Sequence, residues 1–361
     1  MLAPILSALV VAGLAAAASE RSPGTRTLAV GAAVRELAAD STRAAMLLGS
    51  SHSCSVLLWD AHTRRRVAVR ERCSGSPRDG TNGIAIGGAR AIWIQTAGGN
   101  LLESQLRTAT PAKQRPVTLA FVGADPDGEG SGTYLGNLRG EGSRFFFRMW
   151  ETCSIAEGTA EPCPPGLDSG DVVRSDIWTY APGGSGACPS DERTPPRGCR
   201  VIVSGASDIA LVAADRTRVA LRLPSGAVEL RNAKGALLQA FPIAPGRVDV
   251  ALTANRLLVR RGTSLQVFDT QTGATGIGRT VPVGATLVGA KGGLALLLGG
   301  RVIYLVRLSD ARLIRVAVPG TGRVRAQLGA TGLFYSYIAR RGRIRGRLAL
   351  LPRAALLRRF G

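Results

Sequence analysis

The stretch SVLLWDAHTRRRVAV, residues 55–69, reads as two short apolar strands around a polar turn, with Trp59-Asp60 closing the first strand. Apolar residues on both sides of a compact polar break are a hairpin pattern. The same pattern returns downstream in AVELRNAKGALLQAFPI (227–243), SLQVFDTQTGATGIGRTVPV (264–283) and RVIYLVRLSDARLIRVAV (301–318). Aligned on their turns, Asn232, Asp269 and Ser309 stand 37 and 40 residues apart. The hairpin is therefore one copy of a repeat.

A period near 40 built from strands predicts a β-propeller, in which each repeat is one four-stranded blade. The fullest unit is RVDVALTA, NRLLVRRG, TSLQVFDTQTG and GRTVPVG, spanning 247–284. Read this way, the chain divides into seven units at about 34–76, 81–122, 131–204, 206–243, 247–284, 285–318 and 323–352. The last unit lacks a strand, and TRTLAVG at 25–31 lacks a partner. Donating that N-terminal strand to the last blade would close the ring and cover an open edge. The expectation is an all-β, seven-bladed propeller over 25–352, with six- or eight-bladed rings as alternatives. A pair of β-sandwiches also offers short strands, but not this register. RAAMLLGS (43–50) and GLALLLGG (293–300) are continuous apolar runs, as expected of strands buried on both faces between neighbouring blades.

The turn residues carry a resemblance. LQVFDTQTG (265–273) fits the pattern Φ-x-Φ-x-D-x-x-T-G, and VLLWDAHTR (56–64) fits it with Arg64 in place of Gly. This resembles the WD-repeat-like extracytoplasmic propellers of bacteria. The resemblance implies the propeller fold and no particular activity, and its motifs are loose; without a catalytic signature, the expected role is non-catalytic binding or scaffolding. No unit pairs Gly-His with Trp-Asp as eukaryotic WD repeats do. Quinoprotein propellers follow D-x-x-T-G with Trp, which is missing after Gly273.

Composition bounds the setting. The 45% hydrophobic content suffices for a sizeable core, and 46 glycines with 19 prolines suit many turns. The net charge of +21 is concentrated in residues 301–361, which hold fourteen arginines and one acid, Asp310. Leu2–Ala18 is apolar and ends in small residues, which predicts a signal peptide over 1–18, or alternatively an N-terminal membrane anchor. The six cysteines agree with export to an oxidising compartment. Cys54 and Cys73 fall opposite each other across the first hairpin, and Cys153–Cys163 and Cys188–Cys199 would close short loops. No CxxC spacing supports a metal site, and no cofactor is expected.

Candidate sites lie where residues depart from the repeat. The third unit is expanded by long insertions at about 153–176 and 185–199, near Trp150, Trp178 and Tyr180. Long loops braced by disulfides suit binding, so these aromatics are the first candidates. Second come Arg341, Arg343, Arg345 and Arg347, which in a strand would share one face and could dock an anionic surface, ahead of a basic tail at 353–361. Asp125, Asp127 and Glu129 alternate among glycines like the start of a calcium loop, but Gly136 stands where the closing Glu belongs. The sequence contains no G-x-S-x-G, HExxH or P-loop signature. A hydrolase or lyase with its site at the channel mouth is the alternative reading. The expected partner is a protein or a cell-envelope polymer. Export and the shortage of exposed aromatics beside the arginines argue against nucleic acid.

Overall fold

A computed structural model describes residues 24–71, 73, 75–76, 78–99, 101–125, 131–155, 162–190, 193–276, 278–339 and 346–361. Among them the chain forms five four-stranded antiparallel sheets and one eight-stranded sheet.

The first sheet is β2 (Val34–Asp40), β3 (Arg43–Leu48), β4 (Ser55–Asp60) and β5 (Arg66–Ala68), in sequence order. The eight-stranded sheet runs from β6 (Gly80–Gly87), β7 (Arg90–Ala97), β8 (Leu102–Ala109) and β9 (Val117–Asp125) into β10 (Ser131–Glu141), β11 (Arg144–Thr152), β12 (Val172–Tyr180) and β13 (Cys199–Gly205). Among the described residues its halves are paired through Ser131 with Asp125 and Gly132 with Ala124. Next come β14 (Ala210–Ala214), β15 (Arg218–Arg222), β16 (Val228–Asn232) and β17 (Leu237–Phe241). The following sheet is β18 (Asp249–Thr253), β19 (Arg256–Arg261), β20 (Ser264–Asp269) and β21 (Arg279–Thr280), and the one after it β22 (Thr286–Lys291), β23 (Leu294–Gly299), β24 (Val302–Arg307) and β25 (Leu313–Val316). The last combines β26 (Thr321–Gly329), β27 (Gly332–Ile338) and β28 (Gly346–Pro352) with β1 (Arg26–Val30). Strand β1 pairs with β28 from Arg26↔Leu350 to Val30↔Gly346, so the N-terminal strand completes the last sheet.

The first strands touch in a closed circuit: β2 meets β6, then β10, β14, β18, β22 and β26, which returns to β2. Between consecutive groups lie seven buried apolar clusters. Trp59 and Phe334, edge to face with centroids 6.0 Å apart, join the first sheet to the last. The runs at 43–50 and 293–300 become β3 and β23, second strands whose central residues are buried on both faces. Each such Leu or Met contributes about 1.5–3 kcal/mol by leaving water. Outer strands lose the pattern, as in Leu237–Phe241, where only Phe241 is buried.

Polar turn residues hold their hairpins. The Asp269 carboxylate accepts the backbone N–H groups of Gln271 (2.8 Å) and Thr272 (2.9 Å), and Asn232 Oδ1 accepts those of Lys234 and Ala236. In the fourth hairpin the bond equivalent to Asp269 N–H to Ala274 C=O runs from Arg307 N–H to Arg312 C=O. Arg307 therefore occupies the turn position aligned by sequence with Ser309, and Asp310 braces the turn by pairing with it.

The chain ends in a short helix, α1 (Arg353–Arg358), where Leu356 and the following Phe360 are fully buried against the last two sheets. Leu356 and Phe360 thus anchor the basic segment 353–361 to the body. No described helix is long and apolar enough to cross a membrane, and the expected signal segment 1–18 lies outside the described residues.

Candidate functional site

The last residues of β10, β18 and β22 meet around one pocket, so these first strands run in the same direction from one face of the ring to the other. We call the former the strand-start face and the latter the strand-end face. First strands line a central cavity of 460 Å³ with mostly small apolar residues, among them Ala39, Ala85, Ala213, Ala251 and Ala290.

Polar groups break that lining at two levels. At the strand-end mouth, the last residues of β2, β10 and β22 converge: Lys291 Nζ lies 3.2 Å from Glu141 Oε1 and 3.5 Å from Asp40 Oδ1. Asp40 also accepts the backbone N–H groups of Gly88 (2.8 Å) and Gly142 (2.9 Å), so one carboxylate ties three sheets together. Deeper in, Asp249 is paired with Arg260 at 2.8 Å and accepts Leu287 N–H at 3.0 Å. Each of these carboxylates has a cationic partner.

Arg139 does not share that arrangement. Strand β10 bulges between Gly136 and Arg139, with Asn137 at φ 51°, and the bulge re-aims the side chains into the cavity. The Arg139 guanidinium donates to the carbonyls of Leu138 (2.8 Å) and of Val212 (3.0 Å). Val212 is itself the extra residue of a bulge in β14. Burial lowers the Arg139 pKa and no carboxylate opposes that, although the side chain keeps some solvent contact through the channel.

The residues singled out by sequence separate. Trp178 lies across from Phe147, the rings stacked with centroids 6.1 Å apart, and Tyr180 packs on Phe145 at 6.0 Å. Tyr180 is 5% exposed, and burial raises its pKa against the opposing charge of Arg90. Both belong to the packing between the two halves of the eight-stranded sheet. Trp150 points to the other face of β11, half-buried, stacked on Tyr134 at 5.6 Å with the Arg148 guanidinium 4.7 Å above its ring. Arg148 is held by Ser175 Oγ and Asp208, and burial lowers its pKa while Asp208 opposes the shift.

Three disulfides join the six cysteines in the sequential order expected: Cys54–Cys73, Cys153–Cys163 and Cys188–Cys199. The two long insertions lie on opposite faces. Residues 153–171 leave β11 at the strand-start face, whereas 181–198 leave β12 at the strand-end face. The strand-start loop carries Ile155, 67% exposed, and Leu167, 36% exposed. His52 and His62 are divided in the same way, between the β3–β4 loop and the β4–β5 turn.

Arg347 lies half-buried on β28, while Arg341, Arg343 and Arg345 lie outside the described residues, as do Asp127 and Glu129. Asp125 ends β9 opposite Ser131. Among the described residues no three His, Cys, Asp or Glu side chains come together as metal ligands. Sequence reading missed Arg139 and the Lys291 bridge. The only signal was polar LGNLRGEG (135–142) occupying a first-strand position where the neighbours are apolar.

No family model and no curated protein matches the chain. Among solved structures, a chain of the mitotic checkpoint complex is similar over 98% of both chains at 14% identity and a TM-score of 0.50. Sqt1 from Saccharomyces cerevisiae is similar over 90% of this chain and 98% of its own, at 8% identity and a TM-score of 0.46. BamB from Moraxella catarrhalis is similar over 90% and 98%, at 12% identity and a TM-score of 0.45. At such identity the likeness to the first is one of fold alone, and the shared fold is of the propeller type.

Proposed function

We propose that this chain is an exported, seven-bladed β-propeller that acts by binding a protein partner and not by catalysis. Seven blades are supported by the eight-stranded sheet being joined, among the described residues, through two residue pairs at its middle and by the closed circuit of first strands. Export accords with the three disulfides, which belong to an oxidising compartment.

One observation carries the docking face. The loop closed by Cys153–Cys163 holds Ile155 at 67% exposure, a large apolar side chain displayed on a covalently braced loop that follows Trp150 directly on β11. Bracing lowers the entropy cost of docking, and an exposed apolar residue gains most from being covered. The similar chain in the mitotic checkpoint complex belongs to an assembly, which supports reading this fold as a docking module.

The test is site-specific photo-crosslinking in the native host, with the crosslinker at position 155 and, as a control, at Leu238 on the outer strand β17. The expected result is one discrete crosslinked protein from position 155 that disappears when Trp150→Ala is added. Equal adducts from both positions, or none from 155, would remove the docking face. N-terminal sequencing of the same material reads export directly, with a mature start near Ser19 expected.

A further inference from the structure

We infer that the central channel is a binding site for a small oxyanion, centred on Arg139. Four observations converge on it. A guanidinium stays protonated at any physiological pH, so burial cannot discharge it as it can a lysine. Among the described residues no carboxylate pairs with Arg139, and its two hydrogen bonds go to neutral carbonyls, of Leu138 and Val212. Glu141, two positions along the same strand, is held at the strand-end mouth by Lys291. Arg139 lines the central cavity itself, beside residues of the other first strands, so its guanidinium is reachable from the channel.

A charge in this setting takes its counter-ion from solution. Five N–H donors are available on the guanidinium and two are used by carbonyls, which leaves donors for a planar or tetrahedral anion. Asn137 and Gln327 line the same cavity, and neither has a hydrogen-bond partner among the described residues. Both carboxamides can donate to the oxygens left over. The 460 Å³ volume accommodates a phosphate or a small carboxylic acid with its hydration. This inference is independent of the docking face, since the channel and the braced loop share no residue.

Calorimetric titration of the purified protein with inorganic phosphate, and separately with acetate, tests it. The expected result is one saturable site per chain, with unfolding shifted upward by about 2–5 °C at hundredfold excess ligand. The preferred anion then distinguishes phosphoryl from carboxylate ligands. Arg139→Met should weaken binding at least tenfold while leaving the ligand-free protein at least as stable, because it removes an uncompensated buried charge. The triple variant R341Q/R343Q/R345Q should bind as the wild type does. Absence of a saturable site, or equal binding by Arg139→Met, overturns the proposal. Should Arg139→Met fail to fold, a bromide soak of wild-type crystals decides: an anomalous peak within about 3.5 Å of the guanidinium supports the site, and its absence there refutes it.

Discussion

Trp150 stacks on Tyr134 across β10 and β11, with ring centroids 5.6 Å apart and planes 15° from parallel. Gly136, two residues along from Tyr134, makes the arrangement possible, since a Cβ there would sit 2.9 Å from Trp150 Cζ3 and 3.0 Å from Cη2. Gly136→Ala should therefore push the indole off its partner, costing about 1–3 kcal/mol by overpacking. Chemical denaturation measures the loss, and an accompanying change in tryptophan emission would show that the ring has moved. An unchanged spectrum and midpoint would mean that the ring has another place to go.

Lys291 should act as a clasp across the channel mouth, because its ammonium reaches both Asp40 and Glu141 from the opposite side of the ring. Lys291→Met leaves two carboxylates facing each other without a cation. A loss of about 1–3 kcal/mol is expected, less than for a fully buried pair because both contacts are partly solvated. The loss should shrink on adding Glu141→Gln, which a double-mutant cycle reads directly.

Closure by β1 predicts what truncation does. Removing residues through Val30 uncovers the β28 edge from Gly346 to Leu350 and strips the fully buried Val30 from the cluster that joins the first and last sheets. An exposed flat edge pairs with other chains. Size-exclusion chromatography should show higher oligomers, and thermal unfolding should begin earlier. A monodisperse, equally stable truncation would refute the closure.

Acid should loosen the hairpin turns within a defined window. Hydrogen bonding from Arg307 holds the Asp310 carboxyl down at about 2, and the backbone N–H groups of Thr272 and Gln271 hold Asp269 below its usual value. At Asp60 burial acts upward, but the His62 and Thr63 amides and the Thr42 hydroxyl outweigh it. Depressed carboxyls stabilise the fold above the unfolded-state pKa near 4, and this contribution fades as pH falls toward 2. Carboxyl titration followed by NMR should place all three below about 3.9. The opposite limb is governed by Tyr335, raised to about 12 chiefly by burial, with Tyr337 adding to it and Arg359 opposing. Stability it confers is complete below about 10 and lost as pH rises toward 12, which phenolate absorbance can follow.

Cys153–Cys163 should protect a loop more than it stabilises the fold. Ser154 and Cys163 are bridged by backbone within the loop, so the closed segment is short. Replacing both cysteines with serine should open 153–171 to proteolysis while shifting global unfolding by less than about 3 kcal/mol. Resistance equal to wild type would show that packing alone orders the loop.

Much of the architecture was written in local pattern. The apolar run Val56–Leu58, the alternation in Leu265–Val267, the polar residues at the turns and the spacing of repeats specify four-stranded meanders, because side-chain periodicity and turn chemistry act over a few residues. The orphan TRTLAVG strand and the order of the cysteines were legible for the same reason: an uncovered edge and short loop closures have few solutions. What each position faces was settled only by the closed ring. Trp178 and Tyr180 look like a binding cluster in sequence; register with Phe147 and Phe145 sets them in the packing between the halves of the eight-stranded sheet, while Trp150 falls on the opposite face. Two bulges, which leave no sequence signature, bring Arg139 against Val212, and ring closure brings Lys291 to Asp40 from 251 residues away. Charge pairing across a channel depends on non-local geometry, so whether an arginine is neutralised or left to find an anion is a property of the tertiary structure alone.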